Sequence, residues 1–156
     1  MRILIAGGTG FIGRKLMGPL LADGHAVAVL TRNPAKTRLP DGVRALAWDA
    51  RTPGGWGGVI EETDAVINLV GENLGGGRWT AARKQRILES RLNGGQAISA
   101  AIQAAKQRPS VLVQASGIGY YGFSGERTVR EDSPAGTDYL ARVSVAWEDS
   151  TRAVEE

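Results

Sequence analysis

The sequence predicts the α/β class, built as a doubly wound parallel sheet with helices on both faces. Three observations carry that expectation. Short apolar runs that do not alternate with polar residues recur along the chain, as in strands buried on both sides. Segments with apolar residues at helical spacing lie between them. The first apolar run passes straight into Gly7-Gly8-Thr9-Gly10-Phe11-Ile12-Gly13 and then into a helix.

Arg2-Ile3-Leu4-Ile5-Ala6 is the first strand, and the glycines end it. Residues 11–23 form a helix, with Phe11, Ile12, Leu16, Leu20 and Leu21 along one side, and Gly24 supplies its C-terminal stop. Ala26 to Leu30 is a second buried strand, closed by the turn signal Asn33-Pro34. A third runs from Val43 to Trp48 and ends at Asp49, followed by a Gly/Trp-rich stretch and a short helix near 56–63. Ala65 to Val70 is the fourth strand. The loop from Gly71 to Arg78 leads into a long helix, roughly 80–106, carrying Ile87, Leu92, Ile98 and Ile102. After the turn at Pro109, Val111 to Ala115 is the fifth strand, with Ser116 at its carboxyl end. A loop with Gly117, Gly119, Gly122 and Gly125 precedes a last helix from near Thr137, with Leu140, Val143, Trp147 and Val154 on one face. Alternation of this kind implies right-handed crossovers. Ligands of such sheets bind outside the carboxyl ends of the strands, where strand order reverses. The loops at 7–13, 31–34, 49–58, 70–79 and 116–125 are expected to gather there. No repeat or linker interrupts residues 1–156, so one domain is expected.

Composition removes several classes of function. The chain has no cysteine, which excludes disulfides, thiolate metal sites and a cysteine nucleophile. Its single histidine, His25, reads as a surface turn residue, and no metal is expected. No run of about 18 apolar residues suggests a membrane span. The N-terminus enters a strand with no signal-peptide pattern, so the expected location is cytoplasmic. Net charge is +3 and the basic residues are scattered, the densest group being Arg83-Lys84-Gln85-Arg86 beside Glu89. No zinc knuckle, aromatic RNA-binding strand or basic tail accompanies them, and no nucleic-acid partner is expected. Trp48 and Trp56 read as packing, and Glu61-Glu62 and Glu131-Asp132 as solvated charge.

The glycine turn fits two registers. Gly8, Gly10 and Gly13 satisfy G-x-G-x-x-G, and Gly7, Gly10 and Gly13 satisfy G-x-x-G-x-x-G. Such glycines allow a tight turn, a close approach to a pyrophosphate, and helix-on-strand packing. The free amides and the dipole of the helix start then face an anion. Strand before and helix after complete the context of a Rossmann-type dinucleotide site. Gly7, Thr9, Gly10, Phe11, Ile12 and Gly13 are its expected phosphate-binding residues. An NAD site places an acid about 20 residues later. Here the second strand ends Leu30-Thr31-Arg32-Asn33, with no acid. Arg32 suits a 2′-phosphate through a charge-assisted fork, helped by Thr31 and Asn33; its other reading is a solvated surface arginine. NADP(H) is therefore expected over NAD(H). Asp49 either meets the adenine or caps the segment that follows. Leu69, Val70 and Gly71 are expected near the adenosine ribose and the phosphates.

Taken together, the glycine turn, Thr31-Arg32, Asn68-Leu69-Val70-Gly71-Glu72-Asn73, Gly77-Arg78-Trp79, Ser90-Arg91 and Ala115-Ser116-Gly117-Ile118-Gly119-Tyr120-Tyr121-Gly122 resemble the short-chain dehydrogenase/reductase superfamily. More narrowly, they resemble its atypical extended branch, the nucleoside-diphosphate-sugar-epimerase-like proteins. The resemblance implies an NADP-binding Rossmann domain and a redox or epimerase reaction on a small molecule. Ordinary members use a Ser, a Tyr-x-x-x-Lys pair and an Asn; the Tyr exchanges a proton with substrate, and the Lys lowers its pKa and holds the nicotinamide ribose. Ser116 matches the serine. The pair is missing: its positions fall at Leu140 and Ser144, while Tyr139, one residue off, is followed four later by Val143. Arg91 holds the Asn position and looks like a cofactor or anion ligand, with Arg86 one turn earlier a second candidate. Tyr120, Tyr121 and Glu72 are the remaining groups near the cleft able to move protons. Tyr121 has a second reading as a residue that shapes the nicotinamide pocket, and Glu72 as a ribose ligand. Extended members carry further strands and a small substrate-binding lobe, which is expected to be lacking in this chain, since it stops in the last helix at Glu155-Glu156. In relatives the long and final helices often form a homodimer interface; Trp147 and Leu140 either serve that or pack on the sheet. Three functions stay open: an NADP(H)-dependent oxidoreductase or epimerase, a regulatory or redox-sensing NADP binder without turnover, and a cofactor-binding fragment of a longer enzyme.

Overall fold

The computed structural model describes residues 1–155. Five strands, β1 (Arg2–Ala6), β2 (Ala26–Thr31), β3 (Arg44–Ala47), β4 (Ala65–Asn68) and β5 (Val111–Gln114), form one parallel sheet in the order β3-β2-β1-β4-β5. The helices are α1 (Phe11–Ala22), α2 (Ala81–Ala104) and α3 (Tyr139–Asp149). The chain steps outward from β1 to β3 and then returns to the far side of β1. That reversal opens a crevice between the carboxyl ends of β1 and β4.

The three central strands, β1, β2 and β4, bury both faces, which explains their continuous apolar runs, whereas the edge strand β5 leaves Val111 and Val113 exposed. On one side Ile3, Ile5, Val27, Val29 and Ala65 pack beneath Met17, Leu20 and Leu21 of α1. On the other, Leu4, Ala6, Leu30 and Val66 pack with Trp48, Trp56 and Ile60 and with Ala97, Ile98, Ala101 and Ile102 of α2. The α2 stripe is made of small residues because the helix lies close to its neighbours. A β-carbon at Gly94 would overlap Val70 Cγ1, and one at Gly95 would overlap Ser150 Oγ. Side chains cap two of the helices: Thr80 accepts from the Arg83 amide at 3.2 Å, and Asp138 from the Ala141 amide at 2.9 Å. The indoles of Trp48 and Trp56 meet edge to face at 5.6 Å, and both donate to the Thr52 carbonyl.

Three elements differ from expectation. The segment near 56–63 is a 3-10 turn, Gly57–Glu62, wound tightly enough to bury Ile60. The fourth strand stops at Asn68 rather than Val70, because Asn68 Oδ1 accepts the Val70 amide and folds the chain out of the ladder. The last helix ends at Asp149, where Ser150 Oγ and Thr151 Oγ1 donate back to the Trp147 and Glu148 carbonyls. Val154 then lies in a separate 3-10 turn, Arg152–Val154, packed against the α2 side of the core. Trp147 is buried beneath Arg91, and Leu140, half-buried, packs against Gly119. Among the described residues no helix is long and apolar enough to cross a membrane.

Two stability predictions follow from this packing. Gly94→Ala should destabilise by about 1–3 kcal/mol through overpacking, whereas Gly18→Ala, with open space around it in α1, should stabilise by about 1 kcal/mol; urea unfolding measures both. The Asp64 carboxyl is held below its ordinary range by the Arg2 guanidinium and then by the Arg2 amide, and Glu61 by the amides of Lys106 and Gln107. A lowered folded pKa gives stability that is present at neutral pH and lost as pH falls through the folded value. Melting temperature should therefore drop below about pH 4, and Asp64→Asn with Glu61→Gln should flatten that drop.

Candidate functional site

The site begins where β1 leaves the sheet. Gly7 takes φ +81°, and a β-carbon there would sit 2.8 Å from the Leu69 carbonyl of the neighbouring strand exit. The Gly10 amide donates to the Gly7 carbonyl at 3.0 Å and closes the turn. Gly13 lies against the main chain of Gly7 and Gly8, where any side chain would overlap it. The N-cap of α1 is Gly10, whose lack of a side chain leaves the first-turn amides without an internal acceptor. These amides and the helix dipole make the turn an anion site. Phe11 and Ile12 are 83% and 57% exposed, so what they offer is their amides.

A cleft of about 720 Å3 runs along this edge, within the size range of small-molecule sites. Gly7, Thr9 and Gly10 line its middle, with Leu69, Val70 and Gly71 opposite. On the β2 side it is lined by Arg14, Thr31, Arg32, Asn33, Lys36 and Thr37, and on the β3 side by Trp48 and Ala50. Beyond β4 the wall is Glu72, Asn73 and Ser90. The β2 end is cationic. Arg14, Arg32 and Lys36 converge there, and among the described residues none of them is ion-paired. The loop that carries Arg32 and Lys36 is held by its own hydroxyls: Thr37 Oγ1 donates to the Asn33 carbonyl at 2.7 Å and lies 3.0 Å from Thr31 Oγ1.

Several expected ligands lie elsewhere. Asp49 is exposed and absent from the wall. Its Oδ1 accepts the Arg51 and Thr52 amides at 2.8 Å and its Oδ2 accepts Thr52 Oγ1 at 2.9 Å. The Thr52 and Arg51 amides hold its carboxyl below the ordinary range. Asp49 thus takes the second of its two readings and caps the segment that follows, and the neighbouring Trp48 and Ala50 reach the cleft instead, Ala50 at φ +61°. Glu72 lines the wall with its amide donated to Ser90 Oγ at 2.9 Å, and its carboxylate pairs with Arg86 Nε at 3.3 Å. Arg86 is outside the wall and meets it only through Glu72. Arg91 is 9% exposed and also behind the wall. Its Nη1 donates to the Ile87 carbonyl at 3.0 Å and the Glu72 carbonyl at 3.3 Å, and its guanidinium lies 4.9 Å from the Trp147 ring centre. Desolvation lowers its pKa. Gly71 lies directly on the Arg91 guanidinium, which keeps it from the cleft, whereas Arg86 is exposed and turned to Glu72. Buried Arg83 fastens the same loop by donating to the Asn73 carbonyl at 2.6 Å.

Of the proton-transfer candidates, Glu72 lines the cleft and the others do not. Ser116 is exposed and donates to the Glu148 carboxylate. Tyr121 sits half-buried in a 3-10 turn, Ile118–Tyr121, edge to face with Tyr120 at 5.2 Å. Neither lines the cleft. Tyr139 donates its hydroxyl to the Lys84 carbonyl at 2.6 Å, and burial pushes its pKa up. Lys84 Nζ lies over the Tyr139 ring, 5.2 Å from its centre, rather than beside the oxygen. The cleft residues that sequence reasoning missed are Arg14, Leu30, Lys36, Thr37, Trp48, Ala50, Asn73 and Ser90. For Arg14 a signal existed: it follows Gly13 directly and so stands in the first turn of the anion-binding helix.

Known proteins share both sequence and fold. Epimerase family protein SDR39U1 of Bos taurus is 38% identical over 164 residues, covering 99% of this chain and 52% of that protein. Epimerase family protein YfhF of Bacillus subtilis (strain 168) is 37% identical over 160 residues, covering 99% of this chain and 50% of that protein. The solved structure of human epimerase family protein SDR39U1 (isoform2) with NADPH superposes with a TM-score of 0.79 at 31% identity, covering 100% of this chain and 50% of that one. This chain spans about half the length of the curated relatives it matches. Residues 3–144 match the NAD dependent epimerase/dehydratase family, and the chain belongs to that family.

Proposed function

We propose that this chain binds NADP(H) as the nucleotide-binding half of an epimerase-family oxidoreductase or epimerase. One observation carries the reading: the end of β2 offers Arg32, with Arg14 and Lys36 beside it, and no acid lines that end of the cleft. A ribose 2′-phosphate suits such a place, because three cations without a counter-ion repel one another until an anion arrives. The first-turn amides of residues 11–13 hold the diphosphate, Trp48 and Ala50 flank the adenine, and Glu72, Asn73 and Ser90 border the onward path. The human relative solved with NADPH supports the same choice. The nicotinamide, when bound, supplies hydride transfer; this chain's residues bind and orient it. The substrate is a small alcohol, carbonyl or sugar nucleotide, chosen by groups outside this nucleotide-binding half.

A second reading, cofactor binding without turnover, is favoured by one feature. Leu140 and Ser144 stand where a Tyr-Lys pair would act, and the Tyr139 hydroxyl is spent on a carbonyl. NADPH oxidation against a panel of carbonyl compounds separates the two readings. Binding itself is tested by thermal shift. NADPH at about 100 times its dissociation constant should stabilise by roughly 2.7 kcal/mol, NADH at the same concentration should give a smaller shift, and Arg32→Ala should erase the difference. No shift with either nucleotide would end the reading.

A further inference from the structure

We infer that Arg14 is a positioning residue that ties the phosphate loop to the 2′-phosphate pocket and so sets selectivity for phosphorylated over unphosphorylated dinucleotide; the inference rests on the NADP(H) reading above. Arg14 stands in the first turn of α1, one residue past the glycine motif. Its Nε donates to the Thr9 carbonyl at 2.9 Å, inside the phosphate loop. Its Nη1 donates to the Arg38 carbonyl at 3.2 Å, just past the loop that carries Arg32 and Lys36. One planar fork therefore fastens both segments that border the cationic end of the cleft. A lysine has a single nitrogen and cannot span the pair in this way.

The rest of that pocket is already braced. Thr31, Asn33 and Thr37 bond to one another within the 31–37 turn, but none of these bonds reaches the glycine loop. Among the side-chain bonds described, Arg14 alone bridges the two. It also lines the cleft with Arg32 and Lys36, free of any carboxylate among the described residues. Arg14 thus adds positive charge at the pocket while fixing the spacing between pocket and diphosphate cradle. A ligand with both phosphates gains from that fixed spacing. A ligand with the diphosphate alone uses only the glycine loop, whose turn is closed by its own main-chain bond from Gly10 to Gly7.

The test compares dissociation constants for NADPH and NADH, and for the short probes adenosine 2′,5′-bisphosphate and adenosine 5′-monophosphate, by calorimetry. Arg14→Met should weaken NADPH and the bisphosphate about ten- to thirtyfold, as for loss of a charged hydrogen-bonding group, and NADH and the monophosphate by less than about threefold. Arg14→Lys should stay impaired, since charge without the fork does not restore the spacing. Lys36→Met, which leaves the bridge intact, should show the same ligand pattern. Circular dichroism confirms that each variant is folded. Equal weakening of phosphorylated and unphosphorylated ligands by Arg14→Met would overturn the proposal, as would an unchanged NADPH/NADH ratio or full rescue by lysine. Wild-type protein that binds neither dinucleotide would instead overturn the cofactor reading itself.

Discussion

Main chain meets main chain between Gly13 of α1 and Gly7-Gly8 at the exit of β1, with no room for a side chain. Much of the site depends on that contact. It seats the helix start directly at the strand end, so the uncapped first-turn amides open onto the crevice between β1 and β4. Gly7 is at the same time pressed against the Leu69 carbonyl, which sets how far the β4 exit stands from the glycine turn. The spacing between the glycine turn and the β4 exit is thus set by backbone contact. The apolar core packs β1 between α1 on one face and α2 on the other.

Charge is distributed by the same logic. The cations that face the cleft lie at the end of β2 and in the first turn of α1, beside amides that already favour an anion. Those on α2 are used differently. Arg83 and Arg91 are buried and spend donors on the carbonyls of Asn73 and Glu72. Their role is to lash the 71–79 loop to α2, at the desolvation cost seen in the lowered pKa of Arg91. The glycines of that loop follow from this, since a β-carbon at Gly71 or Gly76 would press on one of the two guanidiniums.

The fold was legible because the central strands, buried on both faces, leave unbroken apolar runs, and because the glycine turn sits between a strand and a helix. Strand ends were less legible. Asn68 ends β4 through a hydrogen bond to a main-chain amide two residues on, and Ser150 and Thr151 end α3 through bonds back to carbonyls, none of which shows in hydrophobic periodicity. At the site, Arg32 and the glycines could be read because motif spacing fixes their place. Asp49 was read either as an adenine contact or as a cap, and Arg86 and Arg91 were expected as ligands from the family resemblance. Their side chains are committed to a turn, to Glu72, and to loop carbonyls, which only tertiary contacts decide. Arg14 and Lys36 were missed for the converse reason: an arginine on a helix start and a lysine in a turn look like solvated charge until the chain brings them together.

The most direct test of the central claim is amide mapping by 15N-resolved NMR during titration with NADPH. A diphosphate held by the open helix start and a 2′-phosphate at the end of β2 should move the amides of residues 11–13, 32, 33 and 35–37 most strongly. Perturbations that leave the glycine turn untouched and fall instead on β5 or the 116–125 loop would contradict it.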